Sequence, residues 1–489
     1  MRALHMPRPQ RRSAPWPVRW TGHAPRMMAA PPATAIGTVA TLPRRWPIGS
    51  GSQFHQVASY QIGGMYSISR SIPIAGPAGH SLVLEKTVTQ NREGTRAPAG
   101  AMISFFHDGA VLELLFHSTQ DGFLLKVDDE YVSLDPLGAA GTYNFFRFDF
   151  ATRALRRIDI IVFKASFVEA RTGATDALWA APVRGPRTIC VGDSFTTATP
   201  TGWSNWFAEA MGWDDVWTSG VGASGYLGDA EGLRIPFNER MESDVVAYRP
   251  EVVFIHGSVN DGGEDPSAVE AAAFHAVSTI RRHLPECLVA GGANTAFGAE
   301  YWISGARDVV DATRAGFEAA GGHWMSTYEM PIRWSGETNG ARATLLDAVV
   351  EGQAGNTGTP TQVDGHTGFR INSDSADAAT KLRVGATVEI GIGATRERAV
   401  LTATSAVGGK QVFGFAGSFK YAHAIGEPVR EVGPSPLTGM GNSVYPTAWG
   451  SADYYVGGDL YHPNTAGLMS IGQANAAMLK QLLLDLGLS

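Results

Sequence analysis

The sequence predicts an α/β protein in three parts. A three-layer α/β/α domain on a parallel sheet is preceded by an all-β, jelly-roll-like domain and interrupted by a small β insertion. Three observations predict this. After Ala181, short buried runs alternate with helix-period segments, the pattern of a parallel sheet covered on both faces. Between Gln53 and Ala170 only short β-rich runs appear, separated by Gly, Asp and Asn, as in a sandwich or jelly roll. Between Gly336 and Pro446 the helical pattern stops and at least three alternating segments follow, LRVGATVEIGIG, RAVLTATSAV and KQVFGFAGSF.

At 489 residues the chain is too long for one core and implies roughly three domains. Its 44% hydrophobic and 17% charged residues are those of a globular protein, and no window holds the apolar run a membrane span needs. The formal charge is −7, yet residues 1–45 hold eight arginines and no acid. The body is therefore more acidic than the total shows, which argues against a nucleic-acid partner. Cys190 and Cys287 each sit in an apolar, strand-like run and read as buried thiols, so there is no disulfide framework. The compartment cannot be read from them. The domain layout leans towards a secreted or cell-surface place, with no clean signal peptide.

Taken in order, residues 1–52 are rich in Pro, Arg and Ala without periodicity and are expected to be a disordered basic tail. Residues 53–180 are expected to be the β-sandwich, with strands at Ser81–Thr89, Ala101–Phe106, Ala110–His117, Phe123–Val127 and Arg156–Phe163. The Asp-Gly pairs at 108–109 and 121–122 read as hairpin turns. Phe105, Phe106, Phe116, Phe145, Phe146 and Phe148 read as core in preference to a sugar platform. Residues 187–489 are expected to be the α/β domain, with an insertion at 359–432 shaped as a small barrel. Its strands are Thr188–Val191, Asp215–Thr218, Glu251–His256 and Cys287–Gly291; its helices are Trp203–Met211, Phe237–Ala247, Ser267–His283 and Ser304–Ala319. The helix Thr465–Leu486 places Leu468, Ile471, Met478, Leu479, Leu482 and Leu486 on one face.

Four stretches carry chemistry. Gly192-Asp193-Ser194-Phe195 follows the first strand, Ser219 to Tyr226 the second, and Gly257-Ser258-Val259-Asn260-Asp261 the third. Asp459-Leu460-Tyr461-His462-Pro463 precedes the last helix. Strand ends on one sheet edge are where α/β proteins bind ligands. Ser194 is a weak nucleophile that needs a base, which His462 offers; Asp459, three residues earlier, can accept the imidazole Nδ1–H. A tetrahedral intermediate needs donors, and the candidates are the Ser194 amide, the N–H of Gly222 or Ala223, and the Asn260 side chain. Asp193 and Asp261 read as turn-stabilising acceptors. His256, which ends the third strand, reads as a buried, hydrogen-bonded histidine. No zinc-spaced set, P-loop or Gly-x-Ser-x-Gly elbow occurs, so no cofactor or metal is expected.

These blocks resemble those of the SGNH (GDSL-type) hydrolases over about Arg187–Ser489, the insertion excepted. The resemblance implies Ser194 as nucleophile, Asp459 and His462 as the other triad members, and Ser194, Asn260 and Gly222 or Ala223 as the oxyanion hole. The family's oxyanion glycine aligns best with Ala223, with Gly222 beside it, and Ser258 stands where the family has glycine. A β-sandwich ahead of such a domain is similar to the layout of esterases that deacetylate plant polysaccharides. The expectation is a serine esterase acting on O-acetyl groups of a carbohydrate. The alternatives are an aryl-, lipid- or polyester esterase or thioesterase with Trp203, Trp206, Trp217 and Trp449 lining a pocket, or a polysaccharide-binding surface protein with a vestigial hydrolase. The partner expected is a small-molecule or polysaccharide ester, without nucleic acid or membrane span; oligomeric state is left open.

Overall fold

The computed structural model describes residues 25–48, 61–62, 65–70, 72–75, 82–85, 100–119, 121–163, 165–197, 199, 201–257, 259–293, 306–325, 342–346, 348–352, 369–371, 387–391, 395, 397–407, 410–415, 418–432 and 462–488. Two seven-stranded antiparallel sheets come first. One runs β1 (Ala33–Gly37), β11 (Asn144–Asp149), β8 (Val111–Thr119), β13 (Ala165–Thr172), β6 (Leu82–Glu85), β5 (Ile72–Ala75), with β2 (Arg44–Pro47) also on β13. The other runs β10 (Glu130–Tyr131), β9 (Phe123–Val127), β12 (Arg156–Phe163), β7 (Gly100–His107), β4 (Tyr66–Ser69), β3 (Gln61–Ile62), with β14 (Leu178–Ala180) on β7. Between them Phe105, Phe116, Phe123, Phe146 and Phe167 form one core with Ile103, Leu114 and Ile160. Phe106 instead lies half-buried on the outer side, against Trp179.

Two expectations change here. The supposed tail contributes β1 and β2. All five β1 residues are exposed, so no alternation marked it; it is held by backbone pairing to β11. Just beyond it, the N–H groups of Thr41 and Leu42 donate to the buried Glu113 carboxylate at 3.1 Å. The Asp-Gly pairs join strands of opposite sheets, not paired neighbours, because β7, β8 and β9 alternate between the two sheets. Asp108 braces its crossing by accepting the Ala177 N–H at 2.6 Å, and Gly122 supplies a φ of +77° at the other.

A five-stranded parallel sheet follows, ordered β16 (Val216–Gly220), β15 (Thr188–Gly192), β17 (Val252–His256), β18 (Leu288–Gly292), β19 (His323–Trp324). One face packs on α1 (Trp203–Met211) and α5 (Thr465–Asp485), the other on α2 (Phe237–Asp244), α3 (Pro266–His283) and α4 (Ala306–Ala319). β15 and β17 are buried along their whole length, as strands covered on both faces must be. On α5 the buried line is Ile471, Asn475, Leu479 and Leu483; Leu486 is exposed. The i, i+4 spacing of that line sets the face, and Leu483 takes the place expected for Leu486. Gly472 lets α5 meet α1 closely, since a Cβ there would strike the Trp203 carbonyl. A fourth, six-stranded sheet holds β20 (Arg342–Thr344), β25 (Pro428–Val432), β22 (Thr387–Ile390), β23 (Glu397–Val407), β24 (Lys410–Phe415) and β21 (Phe369–Ile371).

The sandwich is fastened to the α/β layer through the outer face of β9 and β12. Strand period sends Ile158, Ile160 and Val162 into the sandwich, while Ile161 and Phe163 meet Trp206, Leu468 and Met469 of α1 and α5. Lys126 on the same face pairs with Glu209 of α1 at 2.6 Å. Asp214, 2% exposed in the turn after α1, accepts from Arg157 of β12 at 2.9 Å and from Arg184 of the linker at 2.9 Å. Arg70, at the end of β4, donates to the Asp214 carbonyl at 2.8 Å and to Asn205 at 2.7 Å.

Candidate active site

Ser194 lies just past β15, where the chain leaves the sheet in a tight turn. Gly192 is required there, because a Cβ would collide with the Thr196 hydroxyl and the His256 carbonyl. Asp193, fully buried, accepts the Phe195 N–H at 2.9 Å, which is the turn-holding role expected of it. Ser194–Thr196 form a single 3₁₀ turn, and the long helix starts only at Trp203. Ser194 is left half-buried with its hydroxyl at the sheet edge.

His462 comes from the segment that enters α5, whose first turn is capped by Asn464 accepting the Gly467 N–H at 3.0 Å. Its Nε2 stands 2.9 Å from Ser194 Oγ across 268 residues of chain. The Phe195 ring packs edge-on to the imidazole at 5.4 Å. Asp459 lies outside the described residues, as do Ser258 and Trp449.

The turn after β16 brings the second block alongside. A Cβ on Gly222 would stand 3.8 Å from the Ser194 Cβ, so this backbone borders Ser194. Ala223 has φ +56°, and the Ser224 N–H closes the turn onto the Val221 carbonyl at 3.3 Å. A positive φ at the third turn position is ordinarily a glycine feature, so alanine there holds strain at the site. Among the described residues no acceptor takes the N–H of Ser194, Gly222 or Ala223. Asn260, in a 3₁₀ turn after β17, donates to the Ser224 carbonyl at 2.9 Å, which leaves the second N–H of its amide for another acceptor. Asn260→Ala is expected to lower kcat by about 10²–10³-fold with little change in KM, measured on an activated acetate ester.

A family model described as GDSL-like lipase/acylhydrolase matches residues 190–331. The chain carries a GDSL-like lipase/acylhydrolase domain. It is an ester hydrolase domain of the SGNH type, and the match spans β15 to β19 but ends before His462. Solved structures similar to the chain include a family two carbohydrate esterase from Cellvibrio japonicus, at 11% identity and TM-score 0.42, covering 60% of this chain and 89% of that one. An acetyl xylan esterase, Est2A, from the rumen bacterium Butyrivibrio proteoclasticus is 11% identical with TM-score 0.37, covering 54% and 87%. The salicylyl-acyltransferase SsfX3 of a tetracycline biosynthetic pathway is 13% identical with TM-score 0.38, covering 54% and 82%. No curated relative matches the chain in sequence.

Within the GDSL-like domain, Asp261 accepts the N–H groups of Tyr226, Leu227 and Gly228 at 2.7–2.9 Å. Burial pushes its carboxyl above the usual range, against the pull of those three bonds. It thus ties the second and third blocks together as an acceptor. Trp203, Trp206 and Trp217 are at most 2% exposed and belong to the core, not to an acyl pocket. Arg240 of α2 was not singled out from the sequence. It occupies, with Phe237, Met241 and Asp244, the buried i, i+3, i+4, i+7 stripe of its helix. Charged residues on that stripe were the available signal. Burial pulls its guanidinium down to about 10, against Asp244 and Asp193, so it stays cationic at neutral pH.

His256 departs from expectation. It is 1% exposed, and neither ring nitrogen has a hydrogen-bond partner among the described residues; its ring lies 5.1 Å from Trp203. Burial alone lowers its pKa from 6.5 to about 3. The unfolded chain therefore takes up a proton below about pH 6.5 that the folded chain refuses until about pH 3. This stability is complete above 6.5 and falls by about 1.4 kcal/mol per pH unit as the pH drops through the window. His256→Leu is expected to flatten urea midpoints between pH 6 and 4 by one proton; an unchanged slope would mean the ring is hydrated.

Proposed function

We propose that the chain is a serine esterase acting through an acyl-enzyme on Ser194, with O-acetyl groups of a carbohydrate as substrate. The observation that carries the reading is the 2.9 Å contact of His462 Nε2 with Ser194 Oγ beside three N–H groups that no described acceptor takes. His462 takes the hydroxyl proton as Ser194 Oγ adds to the ester carbonyl carbon. The oxyanion is received by the N–H groups of Ser194 and of Gly222 or Ala223, and by Asn260. Collapse of the adduct breaks the ester C–O bond, and the alcohol leaves with the proton from His462. Water then repeats the sequence on the acyl-enzyme and releases the carboxylic acid. Asp459 is assigned to orient the imidazole through Nδ1–H, which leaves Nε2 free to accept.

A small acyl group is supported by the burial of Trp203, Trp206 and Trp217, which removes the indoles expected to form a broad apolar wall. The sugar is supported by the sandwich-plus-hydrolase layout. The test has two arms. A serine-directed phosphonate should label Ser194, read by peptide mass. A panel of acetylated xylan and glucan oligosaccharides against acetyl, octanoyl and aryl esters should show turnover concentrated on acetyl sugars. Preference for octanoyl esters would instead establish the lipid-esterase reading.

A further inference from the structure

We infer that Arg240 is the positioning residue of the oxyanion hole, the group that holds the serine turn and the Gly222–Ala223 turn in register. The inference rests on the Ser194 mechanism just proposed.

The guanidinium is fully buried behind the site and uses four of its five N–H donors on it or its flanks. Nη2 donates to the Gly192 carbonyl at 2.7 Å and to the Ser219 carbonyl at 3.3 Å. Nη1 donates to Ser224 Oγ at 2.9 Å and to the Ile235 carbonyl at 2.9 Å. Gly192 closes the strand before Ser194, Ser219 is the last residue but one of the neighbouring strand, and Ser224 follows Ala223 directly. Gly192 also takes the Val221 N–H at 3.0 Å through its carbonyl, and Ser224 Oγ donates to the Val221 carbonyl at 2.7 Å. Arg240 therefore grips both ends of the turn that presents the Gly222 and Ala223 amides. The Ser224 carbonyl in turn receives Asn260, so the third donor is registered through the same residue.

The fifth donor, Nε, has no hydrogen-bond partner among the described residues; the Asp244 carboxylate lies 3.6 Å away. Leaving a fully buried N–H unpaired costs free energy, and such a cost is tolerated where function fixes the geometry. A lysine cannot replace this arrangement. One ammonium is a point donor, whereas the planar fork reaches three carbonyls and a hydroxyl on separate elements at once. The strained Ala223 backbone makes the same point, because a residue that prefers another conformation must be held in place by its surroundings.

The test compares Arg240→Lys, Ser224→Ala and Ser194→Ala in the full chain. Arg240→Lys is expected to lower kcat by about 10²-fold while KM moves less than about threefold. Affinity for phenylboronic acid, which forms a tetrahedral adduct on the serine, should fall in the same proportion. A merely structural role would lower the active fraction without changing boronate affinity per active site, counted by phosphonate labelling. Ser224→Ala removes only one strand of the grip and is expected to cost about tenfold in kcat. It decides the matter if Arg240→Lys does not fold. Wild-type kcat and boronate affinity in either folded variant would overturn the inference. Full activity of Ser194→Ala would instead remove the mechanism on which it rests, so the two failures are distinct.

Discussion

Ser194→Ala is expected to lower ester turnover by about 10⁴–10⁶-fold while leaving the unfolding midpoint in place. The size of the effect follows from chemistry. Without a hydroxyl, His462 has no proton to take, and only activated water attacking a bound ester remains. The residual rate would come from the oxyanion donors and from binding. The small effect on stability follows from packing. Ser194 is half-buried, and among the described residues its hydroxyl bonds to His462. Losing it creates no large cavity and strands no buried charge. The measurement is kcat on a chromogenic acetate together with a thermal melt of the same preparation. Turnover retained at more than about a hundredth of wild type, with phosphonate labelling abolished, would take Ser194 out of the mechanism.

Asp214→Ala is expected to destabilise the protein by about 3–5 kcal/mol, the largest stability effect predicted for any one side chain here. The carboxylate is 2% exposed and is shared by Arg157 of the sandwich and Arg184 of the linker. Arg157 also pairs with Asp159 at 3.0 Å and Arg184 with Asp129 at 2.7 Å, so each guanidinium keeps one carboxylate but loses its hydrogen bonds to the buried Asp214. The loss is therefore that of a hub, not of an isolated pair. Backbone contacts at the same residue, from Ser69 and Arg70, survive the substitution and should keep the fold recognisable. Equilibrium urea unfolding followed by tryptophan fluorescence reads the change. A loss below about 1 kcal/mol would mean that the interface is held by its apolar contacts around Trp206, Leu468 and Met469 and by its other polar pairs, without need of Asp214.

The placement of much of the candidate site was legible in the sequence because three of its four blocks sit at the end of an apolar run, and apolar runs in α/β proteins are strands covered on both faces. Ser194, Gly222, Ala223 and Asn260 fall where that logic puts them, and His462 reaches Ser194. Asp459 was read from its spacing alone. β9 and β12 were also read to their bounds. β1 was not, because an edge strand exposed at every position leaves no pattern and is specified by the backbone of β11 and by the Glu113 carboxylate. Arg240 was missed for a related reason. An arginine in a short polar helix reads as solvated, and only its place on the stripe of Phe237 and Met241 says otherwise. His256 was expected to find a partner. Instead its ring is packed against Trp203, and position on the strand could not tell a bonded imidazole from a merely enclosed one.

The distance along the chain between hydroxyl and imidazole has a consequence for biosynthesis. A ribosome that has released β15 to β18 has already delivered the nucleophile and every proposed oxyanion donor, yet none of them has a base to work with. On the proposed mechanism, catalytic competence arrives only when the segment 268 residues downstream emerges and α5 docks on α1. A nascent polypeptide working by that mechanism therefore stays hydrolytically silent through most of its translation.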